Sequence, residues 1–328
     1  MRPGRAAVYG PTVDLELLDA RRRVRGQRVV ETWPVRYRES LEPDHGFDLV
    51  VVSVQHYGVA EALSFLGPRA GDATVLVFNN LLVEPSVAVE ALPAGQVAWG
   101  FPNPPPAPGK PHATVLVFNN LLVEPSVAVE ALPAGQVAWG FPGAGGGFGD
   151  DGVLRAALLP VLFFGTLGGP PTERERAVRA VFRGAGFRIR ETTDVRGWLT
   201  LHFLQNAGLH SQSLRLGSLT GLAGRRRDVR EAVLAIRELL PLAEARGVDL
   251  RRHRSELLPY TAPAWLTAPA LAWLFGHFPP MRTVMEAHAN PEELRAVCRD
   301  TLAEARRLGV PVPRLEAAEP YFAAQPAG

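Results

Sequence analysis

The sequence predicts a parallel α/β sheet domain followed by an all-helical domain. Three observations predict it. Short apolar, β-branched runs alternate with helical spacing through the first half, as strand–helix–strand units do. After about residue 195 no strand pattern is left, and three long segments carry helical periodicity. The chain has 328 residues, enough for about two domains at roughly 150 residues each. We place the boundary at 170/171, giving a sheet domain over 1–170 and a helical domain over 171–328.

DLVVVSV (48–54) is a continuous apolar run, as a strand covered on both faces would be. GVAEALSFL (58–66) has helical spacing. ATVLVF follows as the next strand, and Pro85 suits the first turn of the helix after it. QVAWGF reads as a further strand. These elements belong to an internal repeat: residues 73–102 and 113–142 are identical, letter for letter, at an offset of 40. Stacked structural repeats keep a pattern and lose identity, so a recent duplication and an error in assembling the gene both stay open. The spacer NPPPAPGKPH (103–112) is an extended, exposed linker. One repeat copy must leave or extend the sheet, exposing an apolar edge.

TERERAVRAVFRGAGF opens with a capping box, Thr172 and Glu175, and runs helically to Gly184. WLTLHFLQNAGL, DVREAVLAIRELLPLAEARGVDL and NPEELRAVCRDTLAEARRLGV complete the helical half. Residues 257–281 carry no formal charge, a length that could span a bilayer. Five prolines interrupt them, so they are expected as buried helices broken by turns, with no membrane span.

Composition narrows the function. Apolar residues are 47% and charged residues 21%, which supports a real core and excludes wholesale disorder. The formal net charge of +2 gives little drive toward nucleic acid. The arginine runs RRRVRGQR (21–28), GRRRDVR (224–230) and RRHR (251–254) have no interleaved aromatics and read as solvated faces, so no nucleic acid partner is expected. The single cysteine, Cys298, excludes an internal disulfide framework. With no charged-then-apolar leader at the start, a cytoplasmic location is expected. His202, His210, His277 and His288 show no H-x-x-x-H spacing, so no metal site is predicted. Of 35 basic residues only one is lysine, Lys110, so lysine-dependent chemistry must use that side chain or fail.

A formal G-x-G-x-x-G occurs at Gly147, Gly149 and Gly152. It spells GFGDDG. Asp150 and Asp151 would repel a pyrophosphate, and no helix start follows, so a turn between strands is the better reading.

The order of motifs carries a resemblance. DLVVVSVQ is followed by a strand ending FNN, then GFPGAGGG, DVRGWLTLHF, a long helical stretch and EELRAVCRDTLAEARRLGVPVPRLE. This resembles the ketopantoate reductase (2-dehydropantoate 2-reductase) family, in a branch with a WL-x-x-H motif, from about residue 12 to 322. The resemblance implies a Rossmann-like NADP-binding domain followed by a helical 6-phosphogluconate dehydrogenase-like domain. It implies an oxidoreductase that passes hydride from NADPH to a 2-keto acid-type carbonyl, with a small-molecule carbonyl substrate and a homodimer as one arrangement. Matched to the family, residues 1–30 correspond to the region after the first βαβ unit. The Rossmann-like domain is therefore expected to be truncated, lacking the fingerprint that follows the first strand. Weak or no NADPH binding is the consequence.

The site residues follow by position. The family's catalytic lysine matches Thr200, whose hydroxyl can hydrogen-bond a carbonyl but is a poor acid. A second family lysine matches Gln55. Asn79 and Asn80, repeated as Asn119 and Asn120, stand where the family's asparagine meets cofactor and substrate; an Asx-turn accounts for them equally well. Glu293 matches the substrate-binding glutamate, while Asn290-Pro291-Glu292-Glu293 also reads as a helix N-cap and capping box. His202, four residues after Trp198 and on the same helix face, can replace the lysine as general acid; a packed core histidine is the competing reading. Asn206 and His210 can line the same cleft. A reading of another class is a non-catalytic, decayed reductase relative acting as a helical binding or dimerisation module.

Overall fold

The computed structural model describes residues 11–36, 40–46, 49–52, 65–69, 74–77, 97–99, 115–118, 137–149, 151–287 and 290–323. In chain order the strands are β1 (Thr12–Asp19), β2 (Gln27–Pro34), β3 (Leu49–Val52), β4 (Thr74–Val77), β5 (Val97–Trp99), β6 (Val115–Phe118), β7 (Val137–Phe141), β8 (Ala144–Phe148), β9 (Leu154–Leu158), β10 (Val161–Gly165) and β11 (Arg188–Thr192). The helices are α1 (Glu173–Gly184), α2 (Val195–Leu216), α3 (Arg226–Ala245), α4 (Arg254–Thr261), α5 (Ala264–His277), α6 (Pro279–Ala287), α7 (Pro291–Leu308) and α8 (Pro313–Ala317). Two compact units result. One holds Met1–Leu15, Glu31–Gly143 and Pro160–Val195; the other holds Glu16–Val30, Ala144–Leu159 and Arg196–Gly328.

In the first unit the repeat builds one motif twice. β4 pairs with β5 in parallel, Val75 against Val97 and Val77 against Trp99. β6 pairs with β7 in parallel, Val115 against Val137 and Val117 against Trp139, the same register forty residues on. The first pair joins β3 in a three-stranded sheet, and the second joins β10 and β11 in the order β11-β10-β7-β6. β10 runs antiparallel to β7 and parallel to β11, so this sheet is mixed. Leu162 and Phe164 of β10 pack with Val178, Phe182 and Phe187.

α1 begins as its sequence requires. The Glu175 N–H donates to Thr172 Oγ1 at 3.2 Å and the Thr172 N–H donates to Glu175 Oε2 at 2.7 Å. Its inner face carries Arg179, only 1% exposed. That guanidinium donates to Glu191 on β11 at 2.9 Å and to the carbonyls of Glu175 and Gly165, and it lies over the Phe164 ring. A buried cation with each of its three nitrogens hydrogen-bonded pins α1 to β10 and β11.

In the second unit α3 shows buried residues at Val229, Val233, Ile236 and Ala243, the helical stripe that faces a core. Val229 and Val233 pack with Ala264, Ala268, Ala272 and Phe275 of α5 and with Met285 of α6. The uncharged stretch 257–281 is interrupted near its prolines, at Ala262–Pro263 and at Phe278. Among the described residues no helix is long and apolar enough to cross a membrane. Asn290 caps α7 by accepting from the Glu292 N–H at 3.0 Å, with Pro291 in the first turn. A further sheet has the order β2-β1-β9-β8, and its β8, its β9 and the Glu16–Val30 part of β1 and β2 belong to this unit. Its glycine run explains how α6 reaches it: a Cβ on Gly145 would stand 2.9 Å from Val284 Cγ1, so only glycine admits the helix this closely.

Candidate functional site

The GFGDDG segment is a tight antiparallel hairpin. β8 and β9 pair with Gly147 opposite Arg155 and Phe148 opposite Leu154. The Gly149 N–H donates to the Val153 carbonyl at 3.0 Å, and Gly152 adopts φ +76° to close the turn. Asp151 is held by Arg155 at 2.6 Å, which draws its carboxyl down to about 2. A dinucleotide pyrophosphate needs backbone N–H groups at a helix start after a parallel strand. This segment offers an antiparallel hairpin with an anion at its tip. The described residues therefore do not fit a dinucleotide at this motif.

Beside the hairpin lies an open cleft of about 330 Å³, between β1, β8, β9 and α6. Its arginines face carboxylates: Arg28 meets Glu16 at 3.0 Å, and Arg155 meets both Asp151 and Glu16. Their positive charge is balanced within the protein; Gly147 and Gly149 of the glycine motif line this cleft, and none of the catalytic, cofactor or substrate residues expected from the sequence does.

Those residues concentrate on α2. Trp198, His202, Asn206 and His210 recur every four residues, so they form one slowly winding stripe. The Trp198 and His202 rings stack, centroids 5.1 Å apart and planes 6° apart. Trp198 and His210 are buried; His202 and Asn206 are half-buried. Thr200 is 5% exposed and stands about 160° around the helix from His202, at 100° per residue. It shares its side of the helix with Leu204, Ala207 and Ser211, all buried. The helix therefore separates the lysine-matched position from the histidine.

Two contacts fix α2. The Cys298 thiol of α7 donates to the Ala207 carbonyl at 3.6 Å, and burial pushes that thiol's pKa far up. Gly208 lies directly against Ile236 of α3. Glu293 stands on α7, half-buried in its first turn. Gln55, Asn79, Asn80, Asn119 and Asn120 lie outside the described residues, as do Lys110 and His288. Among the described residues no group of three or more His, Cys, Asp or Glu side chains is placed to hold a metal ion.

One group passed over in the sequence is Asp300. Burial pushes its carboxyl up to about 6, against the pull of Arg299. It follows Glu293 by seven residues, about 20° around α7 and about 10 Å along it. The signal available in the sequence was that spacing of two helical turns.

No protein-family model matches the chain, and no curated protein sequence matches it closely. Solved structures do. A Ralstonia solanacearum MolK2 protein assigned as a ketopantoate reductase is 16% identical, with a TM-score of 0.55 over 97% of this chain and 86% of that one. The 2-dehydropantoate 2-reductase of Geobacter metallireducens GS-15 is 15% identical, with a TM-score of 0.54 over 94% of this chain and 85% of that one. D-mandelate dehydrogenase, solved with NADH and anilino(oxo)acetate, is 10% identical, with a TM-score of 0.52 over 94% and 83%. At these identities the likeness is one of fold: the chain has the ketopantoate reductase fold, a Rossmann-like sheet portion followed by a helical C-terminal region.

Proposed function

We propose that this chain is a ketopantoate reductase-like, nicotinamide-dependent oxidoreductase acting on a 2-keto acid-type carbonyl, with NADPH as its reductant. The observation that carries the reading is the extent of the fold likeness, 94–97% of the chain, to structures assigned to ketopantoate reduction. The Trp198–Asn206 stripe supports it, because it presents an imidazole and an amide on one helix face. His202 is the general acid that protonates the carbonyl oxygen as it becomes an alkoxide, held in orientation by its stack on Trp198. Asn206 hydrogen-bonds the substrate, and Glu293 binds it from α7. Thr200 packs in the core and contributes through the position of α2.

Cofactor affinity is expected to be weak, because the described glycine motif is a hairpin. The same observation favours a second reading: a decayed reductase relative that binds or dimerises through its helical unit without catalysis. Titration with NADPH, followed by NADPH oxidation in the presence of a panel of 2-keto acids, separates the two. The first reading predicts turnover that saturates only well above micromolar NADPH. His202→Gln should lower kcat by about 10² or more, with little change in KM. Absence of both binding and turnover at every concentration leaves the second reading.

A further inference from the structure

α5 is apolar on both of its faces. Ala264, Ala268, Ala272 and Phe275 are buried in the core that α3 lines. The opposite face is bare: Trp265 is 72% exposed, Leu266 57% and Trp273 61%. α4, which packs on α5, adds Leu258 at 62%. Two tryptophans exposed to this degree leave about 300 Å² open, since a tryptophan side chain offers up to about 250 Å². The leucines extend that area, and a patch of about 300–600 Å² is of the size that marks an interaction surface.

Cations flank this face. Arg254 opens α4 one turn before Leu258, so the two share an exposed side of that helix, and Arg251 and Arg252 precede them, also exposed. Towards the other end, the Gly224 N–H donates to the Ala272 carbonyl at 3.1 Å, which sets the turn before α3 against the C-terminal half of α5. Arg225, Arg226 and Arg227 follow that turn, and all three are exposed. The neighbouring carboxylates do not balance six arginines. Asp249 meets Arg252 at 3.6 Å, Glu256 accepts from the Ser255 hydroxyl, and Asp228 is taken by Arg215. The rim keeps a positive excess, while residues 257–281 between its two parts carry no formal charge.

An anionic bilayer answers both halves of this pattern. Tryptophan favours the membrane–water boundary, where its ring is apolar and its N–H stays wet. Arginines at that level meet lipid phosphates, each strengthening binding about fivefold. An interfacial helix carries its cations on its own polar face. Here the second face of α5 is spent on the core, and the cations come from α3, α4 and the turn before α4. α5 has 14 residues and rises about 21 Å, short of the roughly 30 Å hydrocarbon core, so it can lie along the surface but not pass through it. A second copy suits the face less well, because a two-fold contact sets a patch against itself and brings the arginine rim against another arginine rim. Trp273 is also held in place before binding. Its ring stacks on His277, centroids 5.5 Å apart and planes 8° apart. A fixed aromatic anchor loses less entropy on association than a free one.

We propose that the α4–α5 face docks this protein on the surface of an anionic lipid bilayer, with Trp265 and Trp273 entering the headgroup boundary and the arginines of 225–227 and 251–254 holding lipid phosphates. The inference uses no residue of α2 or α7, so it stands or falls apart from the catalytic reading. The test is flotation of the full chain with phosphatidylcholine vesicles, with and without about 30% phosphatidylglycerol, at about 0.05 M and about 0.5 M salt. The wild type should float with the anionic vesicles at low salt and bind them about 10-fold or more weakly at high salt. Trp265→Ser/Trp273→Ser should weaken binding by about 10-fold or more. Both side chains are exposed, so the far-UV circular dichroism of that variant should match the wild type. Arg225→Gln/Arg226→Gln/Arg227→Gln should weaken binding to the anionic vesicles by about 100-fold, at about fivefold for each arginine. A wild type that does not float with the anionic vesicles overturns the proposal, as does flotation that either variant leaves undiminished. A wild type that does not float but self-associates in sedimentation velocity, with the association lost in the tryptophan variant, would overturn it and assign the face to a second copy.

Discussion

Replacing Gly208 by alanine should destabilise the protein even though alanine is the better helix former. Gly208 lies inside α2, between Asn206 and His210, with α3 pressed against it. An added Cβ would overlap Ile236 Cγ1. It would also stand 3.0 Å from the Ile236 backbone nitrogen and 3.3 Å from the Ala232 carbonyl. The isoleucine side chain can rotate; the two backbone atoms cannot. Comfortable carbon contacts begin at about 3.5 Å, so α2 and α3 must part by several tenths of an ångström. Overpacking of this kind costs about 1–3 kcal/mol, while the gain in helix propensity is about 1 kcal/mol. With two backbone atoms that cannot give way, the cost falls in the upper part of that range, about 2–3 kcal/mol, and the net loss is about 1–2 kcal/mol. At about 2–4 °C per kcal/mol for a body of this size, Tm should fall by about 2–8 °C in a far-UV circular dichroism melt. Gly276→Ala is the control. It lies within α5 of the same unit, with its nearest neighbour 3.4 Å from the added Cβ, and it should melt at or slightly above the wild type. A Gly208→Ala protein that melts at or above the wild type would refute the close α2–α3 contact.

Other outcomes follow from single groups. Asp300 is raised to about 6 by burial, so its folded form binds its proton more tightly than the unfolded chain does. Its penalty is absent below about pH 4, grows between about 4 and 6, and is complete above; Asp300→Asn should stabilise the protein at pH 7 by about 1 kcal/mol, after allowance for its partial exposure, and not at pH 4. Denaturant melts at the two pH values test this, and an equal effect at both contradicts it. The Cys298 thiol, buried against the Ala207 carbonyl, should react with a disulfide reagent only as fast as α7 leaves α2. Rapid labelling of the native protein would count against that packing. Because the repeat copies are identical, deleting 73–112 and deleting 103–142 produce the same chain. That chain keeps one β-pair to serve both β3 and β10, and its soluble yield should rise above that of the parent; an equal or lower yield argues against a surplus apolar edge.

Local signals carried much of the fold into view from the sequence. Thr172 and Glu175 announced α1, and Asn290 with Pro291 announced α7, because caps act within one helical turn. β-branched runs announced the parallel strands, and the acidic tip of GFGDDG announced a turn. What stayed hidden depends on distant partners. Nothing local to Gly145 shows that it admits Val284 of α6, a contact within the unit that groups 144–159 with the helices. Arg179 was one arginine among many until the sheet supplied Glu191 and Phe164. The uncharged stretch 257–281 read as buried, and the structure covers only one side of α5. At the site, helical period alone groups His202 with Asn206 and sets Thr200 apart, whereas motif position had put all three together.

In the proposed reaction the α2 stripe, through His202, supplies the proton in a nicotinamide-dependent reduction. The most direct measurement is the rate of NADPH oxidation by the full chain, with saturating 2-keto acid, as NADPH is raised from micromolar to millimolar, for the wild type and for His202→Gln. Turnover should rise through the millimolar range and fall by about 10² or more in His202→Gln, with the NADPH concentration for half-maximal rate unmoved. Turnover that survives His202→Gln undiminished, or none in the wild type at any NADPH concentration, would contradict it.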